Sequence, residues 1–240
     1  MLTTMVRWSA LGPDAQASLR AELSTLLRRV FADLDATTEE GFLGRLEEVA
    51  LYRVDGALVG FNSLRLVPVA LPGGRRTTAM VHLAALLPEH RGGNRSLLHV
   101  AWVGWRHWIR SGFRSFYYCC RMIHPSPFRL FVRYPDRSYP SPLRPHDADA
   151  QAVLDALAPQ LGYTTERNPA GYLVTPPRFR VATEAERAST YRASDPITAW
   201  FTEQVPDWPR GQGLLVVTPL DLWTALFVTP RVVFRRPRAV

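Results

Sequence analysis

The stretch from Met80 to Ser96 joins an apolar run to a polar loop with two adjacent glycines and then to a helix-start residue. Gly92 and Gly93 let the backbone approach a ligand closely and adopt conformations that side-chain-bearing residues resist. A loop of this kind turns several N–H groups toward one point, and a helix that opens at Ser96 adds the partial positive charge of its N-terminus. Arg91 and Arg95 bracket the loop and supply charge-assisted hydrogen bonds. Asn94 is the next best residue after glycine for a left-handed backbone, and Ser96 is small and a good helix cap. Together these residues predict a cradle for a pyrophosphate.

Other reactive side chains stand nearby. His82 lies in the apolar run and falls on the same strand face as Leu86 by alternation; it is either a hydrogen-bonded structural residue or a base. Glu89 lies in the loop and reads as solvated or capping. Cys119 and Cys120 are adjacent, so they point to opposite faces of a regular strand, and each is either a buried small hydrophobe or a thiol facing the chemistry. Trp102, Trp105 and Trp108 recur at helical spacing and read as core or as the wall of an apolar ligand site. The six histidines show no paired ligand spacing and no cysteine cluster accompanies them, so no metal is expected.

The elements that must position these residues follow from periodicity. Thr3–Ser9 reads as a first strand. Pro13 opens a helix on which Leu19, Leu23, Leu26, Leu27, Val30 and Phe31 share a face. Thr37 or Thr38, followed by Glu40, starts a second helix running to about Glu47. Val49–Val54 and Ala57–Val69 flank the hairpin turn Asp55-Gly56. Thr77–Leu87 is apolar on both faces and belongs in the middle of a sheet. The Ser96 helix places Leu98, Ala101, Trp102, Trp105, Trp108 and Ile109 on one face and ends at Gly112. Arg114–Ile123 follows as a strand, making a parallel crossover unit, and Pro125–Tyr134 as a short helix. Beyond the four prolines of 135–145 come a helix over Asp147–Leu161, strands at Gly171–Thr175 and Gly213–Thr218, and a helix over Ala193–Val205.

The loop Arg91-Gly92-Gly93-Asn94-Arg95-Ser96, preceded by Pro88-Glu89-His90, resembles the acyl-CoA loop of the GNAT acyltransferase superfamily. That loop reads Gln or Arg, two residues, Gly, one residue, then Gly or Ala; Asn94 and Ser96 are the departures here. The order of elements from Thr3 to about Tyr134 is also similar to the family's strand, two helices, three strands, helix, strand and helix. The resemblance implies a mixed α/β (α+β) fold, a central sheet flanked by helices. Residues 1–145 would form the acyl-CoA-binding core, and 146–240 would complete the sheet or form an acceptor-binding extension. It implies acetyl-CoA or a longer acyl-CoA as co-substrate, and direct N-acyl transfer to a small-molecule or protein amine. It further implies that the Leu86 N–H faces the thioester oxygen, and that a tyrosine, here Tyr134, protonates the departing thiolate. His82 would then take the proton of the amine. A non-catalytic GNAT-like domain that binds acyl-CoA or a partner protein is the alternative.

Composition bounds the remaining possibilities. The chain has 240 residues, is 47% hydrophobic and carries a formal charge of +8, all 29 basic residues being Arg. The arginines are scattered through every segment, which argues against tracking of nucleic-acid phosphates, since that needs clustered charge. Two adjacent cysteines build no disulfide framework, and no leader-like or 18-residue apolar stretch occurs, so a cytoplasmic protein without a transmembrane segment is expected. Leu222–Val228 with Arg231, Arg235, Arg236 and Arg238 reads as a last strand with a solvated basic tail, or as a peripheral membrane contact. Acceptor identity stays open, as does a homodimer.

Overall fold

The computed structural model describes residues 2–90, 95–133, 137–179 and 195–221, apart from the side chains of Arg95 and Leu97. Strand β1, Leu2–Arg7, leads into helix α1, Pro13–Val30, which has Pro at its first turn, Asp14 near its positive end and Arg28 and Arg29 near its negative end. Helix α2, Ala36–Leu43, starts from Asp35: its carboxylate accepts from the Thr38 N–H and hydroxyl, both at 2.8 Å. The expected start at Thr37 or Thr38 is therefore moved back, because aspartate outcompetes threonine as a cap at this turn. The helix also ends at Gly44, short of Glu47.

Strands β2, Glu48–Val54, and β3, Ala57–Ala70, join through Asp55 and Gly56, both at positive φ, the geometry of a tight type I′ hairpin. Strand β4, Arg76–Leu86, returns antiparallel to β3. Helix α3, Arg95–Arg110, carries the chain across to strand β5, Phe116–Met122, which pairs parallel to β4. Helix α4, Pro125–Arg133, helix α5, Ala148–Leu157, and strands β6, Glu166–Arg167, and β7, Leu173–Thr175, follow. Helix α6, Pro196–Gln204, capped by Asp195, and strand β8, Gly213–Leu220, complete the described chain.

The eight strands of the described residues form one mixed sheet in the order β1-β2-β3-β4-β5-β8-β7-β6. β4 lies inside it, as its apolar run requires. β8 closes onto β5 antiparallel from Phe116↔Leu220 to Met122↔Leu214, so residues after 146 contribute strands to the same sheet. The two-residue strand β6 has no counterpart in the sequence reading; it forms because Gly171, at φ 85°, folds the chain back on Asn168.

Helix α3 covers one face of the sheet, where Leu64, Met80, Val103, Trp108, Phe116 and Tyr118 form a small core. The buried face of α3 is His99, Val103 and Trp108. Trp102, expected in the core, is 50% exposed with the Arg106 guanidinium 4.3 Å above its ring, and Leu98 and Ile109 are exposed with it. The sequence spacing fits two neighbouring stripes, and the one containing His99 wins because it faces the aromatic residues of β5. The opposite face holds the larger core, into which α1, α2 and α5 bury Leu23, Leu27, Phe42, Leu154 and Leu157.

Helix α4 is held by Phe128, fully buried, whose ring lies 4.9 Å from Phe201 and stacks 5.6 Å from Trp200 on α6. Replacing Phe128 with Ala should cost about 3–5 kcal/mol of unfolding free energy, read as a lower urea midpoint with an unchanged slope. An unchanged midpoint would mean that α4 is not anchored through this ring.

Candidate active site

The sheet opens where chemistry was expected. Pairing between β4 and β5 runs from Ala79↔Tyr117 to His82↔Cys120 and stops there, although β4 continues to Leu86 and β5 to Met122. The two parallel strands diverge beyond His82. On the other edge of β4, the Leu87 N–H donates to the Val59 carbonyl at 3.0 Å. Antiparallel alternation then turns the main-chain groups of Ala84 and Leu86 toward the β5 side, into the opening. The divergence also explains why residues 81–84, in the middle of a sheet, are only half-buried.

A cavity of about 320 Å³ occupies the opening. His82, Ser96, Tyr118 and Cys120 line it from the α3 side, whereas Ser63, Arg65, Val81 and Leu83 point to the α1–α2 side and line it there. Since successive residues of a strand face opposite ways, a single cavity touching both sets passes through the sheet. Pro127, Leu130 and Phe131 of α4 form one wall, and Phe31, Phe42, Leu161 and Tyr163 form another.

On the α3 side the polar groups are linked. Asn62, on β3, donates to the Ser96 carbonyl and hydroxyl, both at 2.9 Å, and so fastens the first turn of α3 to the sheet. The Ser96 hydroxyl stands 3.4 Å from His82 Nε2, and His82 Nδ1 is hydrogen-bonded to the Tyr118 hydroxyl. The Tyr118 ring stacks on Phe131 at 4.9 Å with an interplanar angle of 4°. Ser96 and His82 thus come together in one chain of hydrogen bonds with Asn62 and Tyr118, two residues the sequence reading did not assign to the site. Asn62 was legible as a polar residue in an otherwise apolar run; nothing in the sequence separates Tyr118 from Tyr117.

Burial sets the protonation states. It pushes His82 down to about 3, with a small contribution from nearby His99, so the imidazole is neutral at any physiological pH. Burial pushes Cys120 up to about 11 and Cys119 higher still. Cys120 faces the cavity as a thiol rather than a thiolate, which disfavours a covalent acyl-cysteine route. Tyr118 and Tyr163 are likewise raised by burial. A histidine with both ring nitrogens engaged and a low pKa moves protons only through its neighbours Ser96 and Tyr118.

On the α1–α2 side, Arg121 packs its guanidinium over the rings of Phe42, Tyr163 and Phe179 at 4.9, 5.2 and 5.2 Å. Neither Arg121 nor Tyr163 was singled out from sequence. The available signal was a charged residue inside the apolar run Phe116–Ile123.

Arg91, Gly92, Gly93, Asn94 and Tyr134 lie outside the described residues, as do Arg231, Arg235, Arg236 and Arg238. Of the loop cradle, the backbone of Arg95 and the whole of Ser96 are described, at the start of α3. Among the described residues no group of three metal-binding side chains occurs, and no helix is long and apolar enough to cross a membrane.

No protein-family model and no curated protein matches the chain. Solved structures similar to it include a conserved Enterococcus faecalis protein named a probable N-acyltransferase. That match has 14% identity and a TM-score of 0.38, over 56% of this chain and 32% of the other. Eis1 from Mycobacterium abscessus matches with 18% identity and a TM-score of 0.37, over 81% of this chain and 49% of that one. The GNAT-like decarboxylase GphF, solved with isobutyryl-CoA, matches with 16% identity and a TM-score of 0.37, over 91% of this chain and 98% of that one. This chain therefore spans about a third and about half of the first two. At such identities no residue correspondence follows.

Proposed function

We propose that this GNAT-like chain transfers an acetyl or longer acyl group directly from an acyl-CoA thioester to an amine. The observation that carries this reading is the divergence of β4 from β5 after His82↔Cys120, with a cavity crossing the sheet at that place. A thioester arm laid in the opening finds the main-chain edge of Ala84 and Leu86 as a strand-like partner, and the start of α3 lies beside it to receive the pyrophosphate. In this reading the Leu86 N–H donates to the thioester oxygen as it becomes an oxyanion. The acceptor approaches from the α1–α2 side, its neutral nitrogen attacks the thioester carbon, and the carbon–sulfur bond breaks. The ammonium proton passes through Ser96 and His82 to water, Tyr134 protonates the thiolate, and water returns a proton to Tyr134. The products are an amide and free CoA.

Thermal unfolding with acetyl-CoA, a long-chain acyl-CoA and free CoA tests this, with Arg91→Ala run alongside. A ligand at about a hundred times its dissociation constant adds about 2.7 kcal/mol, which for a chain of this size raises the midpoint by roughly 5–10 °C. Arg91→Ala should lose most of that shift. Absence of a shift with all three ligands up to millimolar concentration would sink the proposal.

One observation favours a second reading, a binding domain without catalysis. Neither His82 nor Cys120 changes charge near neutral pH. That reading retains the midpoint shift but releases no CoA thiol with any amine.

A further inference from the structure

We propose that the acceptor amine also carries an oxyanion, a carboxylate or phosphate, bound by Arg121 together with Arg65 on the α1–α2 side of the sheet. This rests on the acyl-transfer reading for the word acceptor. The anion site itself rests on geometry.

Many of the described arginines have carboxylate partners: Arg28 meets Glu39 at 3.0 Å, Arg133 meets Asp195 at 2.7 Å, Arg106 meets Glu48 at 2.8 Å and Arg167 meets Asp155 at 2.7 Å. The three that border the through-sheet cavity differ. Among the described residues, Arg121, Arg65 and Arg45 have no carboxylate within ion-pair distance. Arg65 donates to the Gln160 carbonyl at 3.0 Å, Arg45 donates to the same carbonyl, and Arg121 makes only its ring contacts. Glu47, the acid felt by Arg65, accepts the Leu66 N–H at 3.3 Å instead. Asp155, on the outer side, is held by Arg167. Burial lowers the pKa values of Arg65 and Arg121, with repulsion from Arg45 added at Arg65 and from Arg178 at Arg121, and holding such guanidinium groups without a paired counter-charge is unfavourable. An anionic ligand relieves that cost.

The arrangement around Arg121 is built for such a ligand. Rings on its faces leave the N–H edge of the guanidinium as the binding surface, and that planar fork matches the two oxygens of a carboxylate or phosphate. Its stem runs beside Gly213 of β8, where an added Cβ would come within 2.7 Å of Arg121 Cγ, so the strand leaves room for this side chain. A second cavity of about 490 Å³ opens outward, bordered by Thr37, Thr164, Thr165 and Arg178, and shares Arg121 and Tyr163 with the inner one. Arg121 stands at the junction. An oxyanion held there places an attached amine along the inner cavity toward the opening between β4 and β5, past the apolar surfaces of Phe31, Phe42 and Leu161.

Calorimetric binding of matched pairs tests the proposal without turnover: L-phenylalanine against L-phenylalaninamide, and phosphoethanolamine against ethanolamine. At least one acid should bind tenfold or more tightly than its neutral counterpart in the wild type. The better acid identifies carboxylate or phosphate. Arg121→Gln should erase that preference and Arg65→Gln weaken it, both with the acyl-CoA midpoint shift intact. Equal binding of acids and neutral analogues in the wild type, or a preference that survives Arg121→Gln, would overturn it. The acyl-transfer reading fails separately, by absence of the acyl-CoA shift or of CoA release.

Discussion

If the proposed acyl transfer is right, Tyr134→Phe should lower kcat for amine acylation by about 10²–10³-fold and leave the acyl-CoA midpoint shift intact. The face of α4 that borders the cavity is Pro127, Leu130 and Phe131, and three- and four-residue spacing along the sequence continues that series at Tyr134. In the proposed reaction the Tyr134 phenol would protonate the thiolate as the carbon–sulfur bond breaks, and without it a poor leaving group would depart unprotonated. Phe removes only the hydroxyl. If Tyr134 served only to pack, kcat would not change. A thioester of a more acidic thiol needs less help in leaving, so the deficit should shrink with such a donor; a deficit independent of leaving-group pKa points instead to a displaced substrate. An unaltered kcat removes Tyr134 from the mechanism and moves attention to Tyr163, which borders the same cavity.

The architecture was legible because its signals are local. The hairpin at Asp55-Gly56, the helix opened by Pro13 and the doubly apolar β4 each follow from a few adjacent residues, and their order constrains the topology. Three features of the site were not legible, because each depends on residues distant in sequence. Tyr118 meets His82 across a parallel pairing that only the crossover through α3 creates. Arg121 acquires its ring contacts from Phe42, Tyr163 and Phe179, on three separate segments. The low pKa of His82 comes from enclosure by neighbours on β3, β5 and α3, which alternation along β4 does not reveal. The partly misplaced face of α3 has a different origin: of the expected stripe Leu98, Ala101, Trp102, Trp105, Trp108 and Ile109, Trp108 is buried and Trp105 packs beside it, but Leu98, Trp102 and Ile109 are exposed while His99 and Val103 turn inward, and hydrophobicity alone does not anticipate that rotation. A histidine pointing inward decides the matter only once the sheet is known.

That inward histidine leads to the largest effect expected on stability. Below pH 6.5 the protein should lose stability steeply, by roughly 4 kcal/mol between pH 7 and pH 4.5. Burial pushes His99 down to about 4, and neither of its ring nitrogens has a hydrogen-bond partner among the described residues; His82 sits at about 3. In the unfolded chain both titrate near 6.5. As pH falls below that value the unfolded state takes up protons that the folded state refuses, so each group costs about 1.4 kcal/mol per pH unit until its folded pKa is reached. The Arg106–Glu48 pair beside His99 does not reverse the sign, since burial outweighs the pull of Glu48. Glu47, raised by burial, acts the other way and softens the slope. His99→Leu removes one titrating group together with two unsatisfied polar atoms, so it should flatten the dependence by about half. It should also raise stability at pH 7 by about 1–2 kcal/mol. Urea midpoints measured every half unit from pH 4.5 to 7.5 decide it. A flat wild-type profile down to pH 5 would show that these imidazoles charge freely in the folded protein, and the buried relay through His82 would lose its physical basis.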